Sequence, residues 1–382
     1  YLLTHLYGAW ARESQVDHTL LTHGSKSIES RKQVRTTHTE NPAFMITLDS
    51  ESFDENYGEV IAGALAWSGN FRLNFEVDEF NVLNILAGAN PYASDYTLGA
   101  GESFTTPEMI YTYSSEGAGG ASRHLHDWAR NYGVWHGHTY APTLLNSWEG
   151  AYFTFDAKTL TEMIDDAADM GLEMFVLDDG WFGNKYPRND SNAGLGDWQV
   201  NAKKLPEGID YIASYAHQKG MKFGIWFEPE MISPDSDLYR EHPDWAIAIP
   251  GRAGSLCRNQ YVLDLCRAEV QDYIIANVNA TLASAPIDYV KWDMNRHISD
   301  NYSPALAEQG RFSHSYILGL YRVLQSIVEQ NPDVLFEGCS SGGNRFDLGI
   351  LCYMPQIWTS DDTDAYERQL IQAGTSYGYP PS

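Results

Sequence analysis

The sequence predicts a parallel barrel of eight β/α units, a (β/α)8 TIM-barrel fold, preceded by an antiparallel β-sandwich. Three observations predict it. Up to about Tyr113, short runs of alternating hydrophobicity are split by Gly, Asn, Asp and Ser. From Pro142, strand-length apolar runs alternate with helix-length amphipathic ones, which is the pattern of a parallel sheet rather than a meander. The alternation passes through eight strand-like runs, the number that closes a barrel.

In chain order, "AFMITLDS", "EVIAGALAWSG" and "FRLNFEVDEFNVLNILAG" read as sandwich strands, and "ASRHLHDWARNYG", Ala121 to Gly133, reads as a helix stopped by Gly. "TLLNSW" is the first barrel strand, before the helix "AKTLTEMIDDAADMG". "LEMFVLDD" is the second, before a loop and the helix "IDYIASYAHQKG". "KFGIWFEPE", "YVLDL" and "IDYVKWD" are the third, fourth and fifth, with the helix "AEVQDYIIANVNATLAS" between the last two. After the helix "SYILGLYRVLQSIVEQ" come "VLFEGCSS", "QIWTSDD" and "TSYGY". The expected domains are a sandwich over 1–120, incomplete at its start, a linker helix over 121–141, and a catalytic barrel over 142–382 that is cut after its eighth strand, so that the natural protein continues beyond it.

Composition narrows the function classes. A chain of 382 residues with 43% apolar residues is long enough for one large domain plus a smaller one, or for two comparable domains. Its 51 acidic residues against 25 basic ones give a net charge of -26, which disfavours nucleic acid and anionic membranes as partners. No apolar run approaches the roughly 18 residues needed to span a bilayer, and "YLLTHLYGAW" lacks the basic start of a leader. The expected location is cytoplasmic, with periplasmic or secreted forms left open because a chain starting at Tyr is expected to lack its natural beginning. Cys257, Cys266, Cys339 and Cys352 have no CxxC spacing, so they read as reduced thiols. No metal or cofactor is expected. "NDSNAG" lacks the final Glu of a calcium loop, "EGAGGAS" follows no strand, and the "HLH" and "WHGH" histidines precede the barrel.

The chemistry is carried by acids. In such a barrel the C-terminal strand ends converge, and here they bear Asp178 and Asp179, Glu228, Asp264, Asp293, and Asp361 with Asp362, while Glu337 is a further candidate. Any one of them reads equally well as a helix cap; their repetition on successive strands points to a common pocket. Converging carboxylates without a metal motif suit glycosidic bond cleavage, which needs two carboxyl groups flanking a sugar ring, with polar groups and Trp walls around it. Lys291 and Asp293 leave one strand on the same face, so the ammonium is placed both to keep a nearby carboxylate ionised and to donate to hydroxyls.

"FVLDDGWFG", "GIWFEPEMI", "DYVKWDMNR", "GCSSGGNRFD" and "QIWTSDDTDA", in this order, resemble the α-galactosidases of glycoside hydrolase family 36. The resemblance spans the whole chain and leaves the family's small C-terminal β-domain outside it. It implies a retaining exo-α-galactosidase acting on raffinose-type oligosaccharides and small α-galactosides by double displacement, with Asp293 as nucleophile. Three acids of "SDDTD" compete for the acid/base role, Asp361, Asp362 and Asp364, and sequence physics alone does not choose. The family motif assigns Asp361, with Asp362 second. The resemblance also gives Asp178 and Asp179 to the sugar's 4- and 6-hydroxyls. Trp148 and Trp226 become pocket walls, and Arg258, Lys291, Asn295, Cys339 and Ser341 become hydroxyl contacts. Glu228 and Glu230 become supporting groups. It implies a homo-oligomer, a tetramer in bacterial forms. Two enzyme alternatives keep the fold, an α-N-acetylgalactosaminidase and a galactosyl transferase; a catalytically inactive carbohydrate-binding fragment is the alternative outside enzymes.

Overall fold

The structure, a computed structural model, describes residues 1–31, 34–49 and 54–381; Ser50, the last residue of the run "AFMITLDS", lies outside them. The chain divides into two compact units, Tyr1–Thr139 with Gly338–Ser382, and Tyr140–Glu337.

The first unit is built on two antiparallel sheets. One has the order β2-β1-β4-β5-β8, from strands Leu2–Ala9 (β1), Arg12–Leu20 (β2), Glu40–Thr47 (β4), Val60–Ala66 (β5) and Glu108–Ser114 (β8). The other has the order β3-β6-β7, from Gly24–Glu29 (β3), Phe71–Val77 (β6) and Leu83–Ala89 (β7). The alternation legible in "FRLNFEV" is realised on β6, where Phe71, Leu73, Phe75 and Val77 are buried while Arg72 and Glu76 are exposed. Phe75 meets Phe44 of β4 edge-on, ring centroids 5.0 Å apart, which joins the inner faces of the two sheets into a sandwich. Each such fully buried ring contributes roughly 1.5–3 kcal/mol. The helix read at Ala121–Gly133 begins earlier, at Gly117, and runs to Trp128 (α1) before a wide turn over Ala129–Gly133. Its Ala118, Ala121 and Leu125 pack with Met45, Val60 and Ala62, so it belongs to the core of this unit.

The second unit carries a parallel sheet wrapped by helices, half of a β/α barrel. Its strands are Leu144–Asn146 (β9), Met174–Leu177 (β10), Lys222–Phe227 (β11), Tyr289–Trp292 (β14) and Leu335–Gly338 (β15), neighbours in that order, with Gly338 itself assigned to the first unit. The β9–β10, β10–β11 and β11–β14 pairs are parallel. The helices between them include Ala157–Asp169 (α3), Gly208–Gln218 (α4), Ala268–Ala283 (α6) and Phe312–Gln330 (α7). Asp156 starts α3 by accepting the Thr159 N–H at 2.8 Å, a cap worth about 1 kcal/mol. No described helix is long and apolar enough to cross a membrane.

Two of the eight expected barrel strands are absent from the parallel sheet. The fourth run, "YVLDL", contributes only Tyr261–Val262 (β13), paired antiparallel with Met231–Ile232 (β12). The chain leaves β11 at Glu228–Pro229, and Val262, Leu263 and Leu265 are buried outside the ladder; a short apolar run does not by itself distinguish a strand from a buried loop. β11 therefore pairs directly with β14. Gly224 makes that approach possible, since a Cβ there would stand 3.0 Å from the Tyr289 side chain. "DYVKWD" is thus the fourth parallel strand, where the sequence count made it the fifth. The eighth run, "TSYGY", is the end of the helix Ala365–Thr375 (α9) and the turn after it. The seventh, Gln356–Ile357 (β16), lies in the first unit, where the following Trp358 N–H donates to Gly338 O at 2.9 Å.

Candidate active site

Parallel register puts the ends of β9, β10, β11 and β14 on one edge of the second unit, so Asn146, Asp178 with Asp179, Glu228 and Asp293 emerge together. Asp293 is 5% exposed. Its Oδ1 accepts the Met294 N–H at 2.8 Å, and its Oδ2 accepts Trp226 Nε1–H at 3.1 Å and Asn295 Nδ2–H at 2.6 Å. A carboxylate held by several N–H donors has a fixed orientation. Trp226, expected as a wall, is fully buried and touches the site through its indole N–H.

The neighbouring carboxylates are each matched. Asp178 Oδ2 accepts Lys291 Nζ at 2.8 Å and Asn146 Nδ2 at 2.6 Å, and its backbone N–H donates to Ser147 Oγ at 3.0 Å. Asp179 is clamped by Arg188, whose Nε lies 3.0 Å from Oδ1 and whose second nitrogen lies 2.8 Å from Oδ2. Burial pushes the Asp179 carboxyl up, and the guanidinium opposes that shift. Glu228 Oε1 accepts both Gln260 Nε2 at 2.7 Å and Asn295 N at 2.6 Å. Burial, reinforced by the Asp293 charge, pushes Glu228 up to about 7. Glu230 accepts Trp292 Nε1 and the Tyr316 hydroxyl, and Glu337 accepts the Tyr289 hydroxyl.

Other expected residues of this unit lie in turns or a short helix rather than at the last position of a parallel strand. Asp264 follows β13 rather than a parallel strand, and it accepts the Cys266 N–H and the Ser303 hydroxyl. Arg258 is exposed in a left-handed turn, φ 53°, although its charge still acts on Glu228. Trp148 opens the short helix Trp148–Ala151 (α2) and packs edge-on against Tyr152 and Phe153.

In the first unit, Asp361 is partly exposed and accepts two indoles, Trp10 Nε1–H at 2.8 Å on Oδ2 and Trp358 Nε1–H at 3.2 Å on Oδ1. Asp362 Oδ1 accepts the Asp364 N–H, and Asp364 in turn caps α9 through Tyr366 N and Glu367 N. Arg368 fixes this loop from below, donating to Ser360 O and Asp362 O while lying over the Trp358 ring. Cys339 is buried. Ser341 adopts φ 49°, and its carbonyl accepts His38 Nε2–H at 2.9 Å. Gly342 follows at φ 77°, where a Cβ would stand 2.7 Å from Glu13 Oε1. Burial raises the Glu13 carboxyl, against a hydrogen bond from Ser360.

Sequence reasoning missed Arg188, Asn146, Gln260, Trp10 and Glu13. Asn146 lies inside "TLLNSW" and is signalled only by its position at a strand end. The others come from loops or from the distant N-terminal sheet, with no local pattern. Among the described residues no group of three or more His, Cys, Asp or Glu side chains is arranged to hold a metal ion.

The melibiase family matches residues 103–382, and the glycosyl hydrolase family 36 N-terminal domain matches residues 1–99. The chain is 46% identical over 383 residues to α-galactosidase AgaA of Geobacillus stearothermophilus, covering 99% of this chain and 52% of that protein. It is similar to solved structures of variants of that enzyme, in complex with raffinose (TM-score 0.95, 45% identity) and with stachyose (TM-score 0.96, 45% identity). Each is covered over 100% of this chain and 53% of its own. The chain thus spans about half the length of these relatives. Two family matches, over residues 1–99 and 103–382, on a chain whose parallel strands end in buried carboxylates, establish that it belongs to glycoside hydrolase family 36.

Proposed function

We propose that this chain carries the catalytic machinery of a retaining exo-α-galactosidase acting on raffinose-type oligosaccharides and small α-galactosides. The observation that carries the reading is Asp293, a buried carboxylate at a parallel strand end, oriented by three N–H donors and flanked by the Lys291–Asp178–Asn146 cluster. The relatives named α-galactosidases, and the raffinose and stachyose complexes of one of them, support the substrate class.

In this mechanism an Asp293 oxygen bonds to the anomeric carbon as the bond to the leaving oxygen breaks. Asp361 delivers its proton to that oxygen. Water then bonds to the anomeric carbon, gives a proton to Asp361, and expels the Asp293 carboxylate. Asp178 and Asp179 accept sugar hydroxyls, Lys291 and Asn295 donate to them, and Trp148 and Trp226 bound the ring. Arg258, Cys339 and Ser341 complete the hydroxyl contacts. A site that hydrogen-bonds the axial 4-hydroxyl discriminates strongly against glucose, because the epimer leaves buried groups unpaired. The reading extends to a homo-oligomer, a tetramer by family resemblance, and to a cytoplasmic location, which four free cysteines support. The domain division 1–120, 121–141 and 142–382 is part of the same proposal.

The test is hydrolysis of an aryl α-galactoside by the full-length protein and its Asp293→Ala variant, with the first-formed anomer followed by NMR. Loss of activity in the variant and an α-anomer from the unaltered protein are expected. A β-anomer as first product refutes the double displacement, and preference for an α-N-acetylgalactosaminide or transfer to sugar acceptors refutes the stated substrate or reaction.

A further inference from the structure

Glu228 sits where the third parallel strand ends, 1% exposed, and no step of the mechanism uses it. A buried carboxylate beside the nucleophile is costly, because burial and a like charge both penalise its ionised form. The hydrogen bonds suggest what offsets that cost. One oxygen, Oε1, accepts two donors from two separate segments: Gln260 Nε2–H at 2.7 Å, from the turn before β13, and Asn295 N–H at 2.6 Å, two residues past Asp293. Asn295 then turns its side-chain amide back onto Asp293, donating to Oδ2 at 2.6 Å. The Gln260 side of the network is itself anchored, since Arg296, 3% exposed, donates to Gln260 O and Ser255 O at 2.8 Å each.

We infer that Glu228 is a positioning residue for Asp293: it holds the backbone of Asn295 so that the Asn295 amide fixes the Asp293 carboxylate in one orientation. The inference rests on the nucleophile reading of Asp293 given above. The backbone N–H of Asn295 and its side-chain amide are in the same residue, so anchoring one restricts the other to the few rotamers that reach Oδ2. A small displacement of an attacking oxygen is expensive in rate and nearly free in ground-state binding, so the loss falls on kcat. The charged groups acting on Glu228 are Asp293, which raises its proton affinity, and Arg188 and Arg258, which lower it. Its titration close to neutrality gives the role a pH signature.

The experiment compares Glu228→Leu, Glu228→Gln, Asn295→Ala and the double variant Glu228→Leu with Asn295→Ala in the full-length protein, with kcat, KM and the pH profile of kcat/KM measured on an aryl α-galactoside. A Gln oxygen can still accept both N–H donors, so Glu228→Gln keeps the anchor and removes only the titration, whereas Glu228→Leu removes the anchor. Glu228→Leu is expected to lower kcat at least about tenfold with KM changed less than about threefold, and Asn295→Ala to lower kcat as much while also raising KM, because its amide contacts the sugar as well. The double variant is expected to have a kcat no worse than that of the poorer single one, because both remove the same restraint. Glu228→Gln is expected to keep most of kcat and to lose a limb of the profile near pH 7. If the losses in kcat multiply, or if Glu228→Leu keeps its kcat, the positioning role is wrong. Should Glu228→Leu fail to fold by circular dichroism, Glu228→Gln decides alone, and a profile that keeps its limb near pH 7 overturns the inference. Asp293→Ala separates the two readings. If it stays active the nucleophile assignment fails; if it is inactive while Glu228→Leu is normal, only the positioning role fails.

Discussion

Lys291 Nζ donates to Asp178 Oδ2 at 2.8 Å, so the lysine of the fourth parallel strand holds the carboxylate that follows the second. The two side chains are 11% and 5% exposed, a nearly buried ion pair that ties strand ends two positions apart in the sheet.

Breaking that pair from one side is expected to be costly. Lys291→Met leaves Asp178 buried with the Asn146 amide and the Asp179 N–H but no counter-charge, a change that destabilises by about 3–5 kcal/mol when a buried charge loses its partner. Urea denaturation of the variant should show it, and Lys291→Met combined with Asp178→Asn should recover part of the loss. A single-variant loss below about 1 kcal/mol would mean that water reaches Asp178.

The Asp179–Arg188 pair makes the same argument with less solvent. Its side chains are 8% and 2% exposed, and Arg188 also donates to Ala193 O at 3.1 Å. Arg188→Met removes the guanidinium that opposes the effect of burial on the Asp179 carboxyl, so its proton affinity rises further and its charge loses its partner. The expected results are a loss of about 3–5 kcal/mol and a KM for galactoside raised at least about tenfold, since Asp179 loses the fork that fixes the orientation of both its oxygens. Arg188→Lys, lacking the planar fork, should recover only part.

How much of this was legible in the sequence differs from residue to residue. The apolar runs that end in acids at Asp178, Glu228 and Asp293 are parallel strands because a strand buried on both faces must be apolar throughout and turn polar where it leaves the sheet. "YVLDL" has the same pattern for another reason. Its apolar residues fill space beside the sheet, and Asp264 caps a turn at Cys266 N. The count of eight strands therefore exceeded what the parallel sheet contains, and "KWD" moved from fifth to fourth. Arg188 is nine residues from its partner across a loop, and Trp10 is 351 residues from Asp361. Contacts of that kind are made by the fold and leave no spacing to read.

The two acids of "SDD" differ in what they bond, and leaving-group dependence separates them. Asp361 accepts two indole N–H groups from different elements, while Asp362 serves the backbone of its own loop at Asp364 N. If Asp361 donates the proton, Asp361→Asn should lower kcat/KM on raffinose by at least about 100-fold and on a dinitrophenyl galactoside far less, because a good leaving group needs little protonation. Asp362→Asn should lower both substrates equally and modestly. The reverse pattern assigns the acid to Asp362.

His38 supplies a prediction about pH. Its ring lies 12% exposed in the first unit, donates to Ser341 O, and stands 3.5 Å from Glu13. Burial pushes the imidazole down from its ordinary value near 6.5 to about 4, with the Arg35 charge adding to the effect and the Ser341 carbonyl opposing it. Between those two values the unfolded chain binds a proton at His38 and the folded chain does not. Unfolding therefore takes up a proton, and stability falls as pH drops through the window. The drop from 6.5 to about 4 corresponds to roughly 3 kcal/mol lost by pH 4, with no further loss from this group below it. Glu13 acts in the opposite sense, because burial raises its carboxyl and the fold takes up that proton first. The His38 contribution is isolated by difference. His38→Gln retains an N–H for Ser341 O but cannot titrate, so its urea midpoint should fall less steeply than that of the unaltered protein between pH 6.5 and pH 4. Parallel curves for the two would show that the imidazole is protonated in the folded state and paired with Glu13.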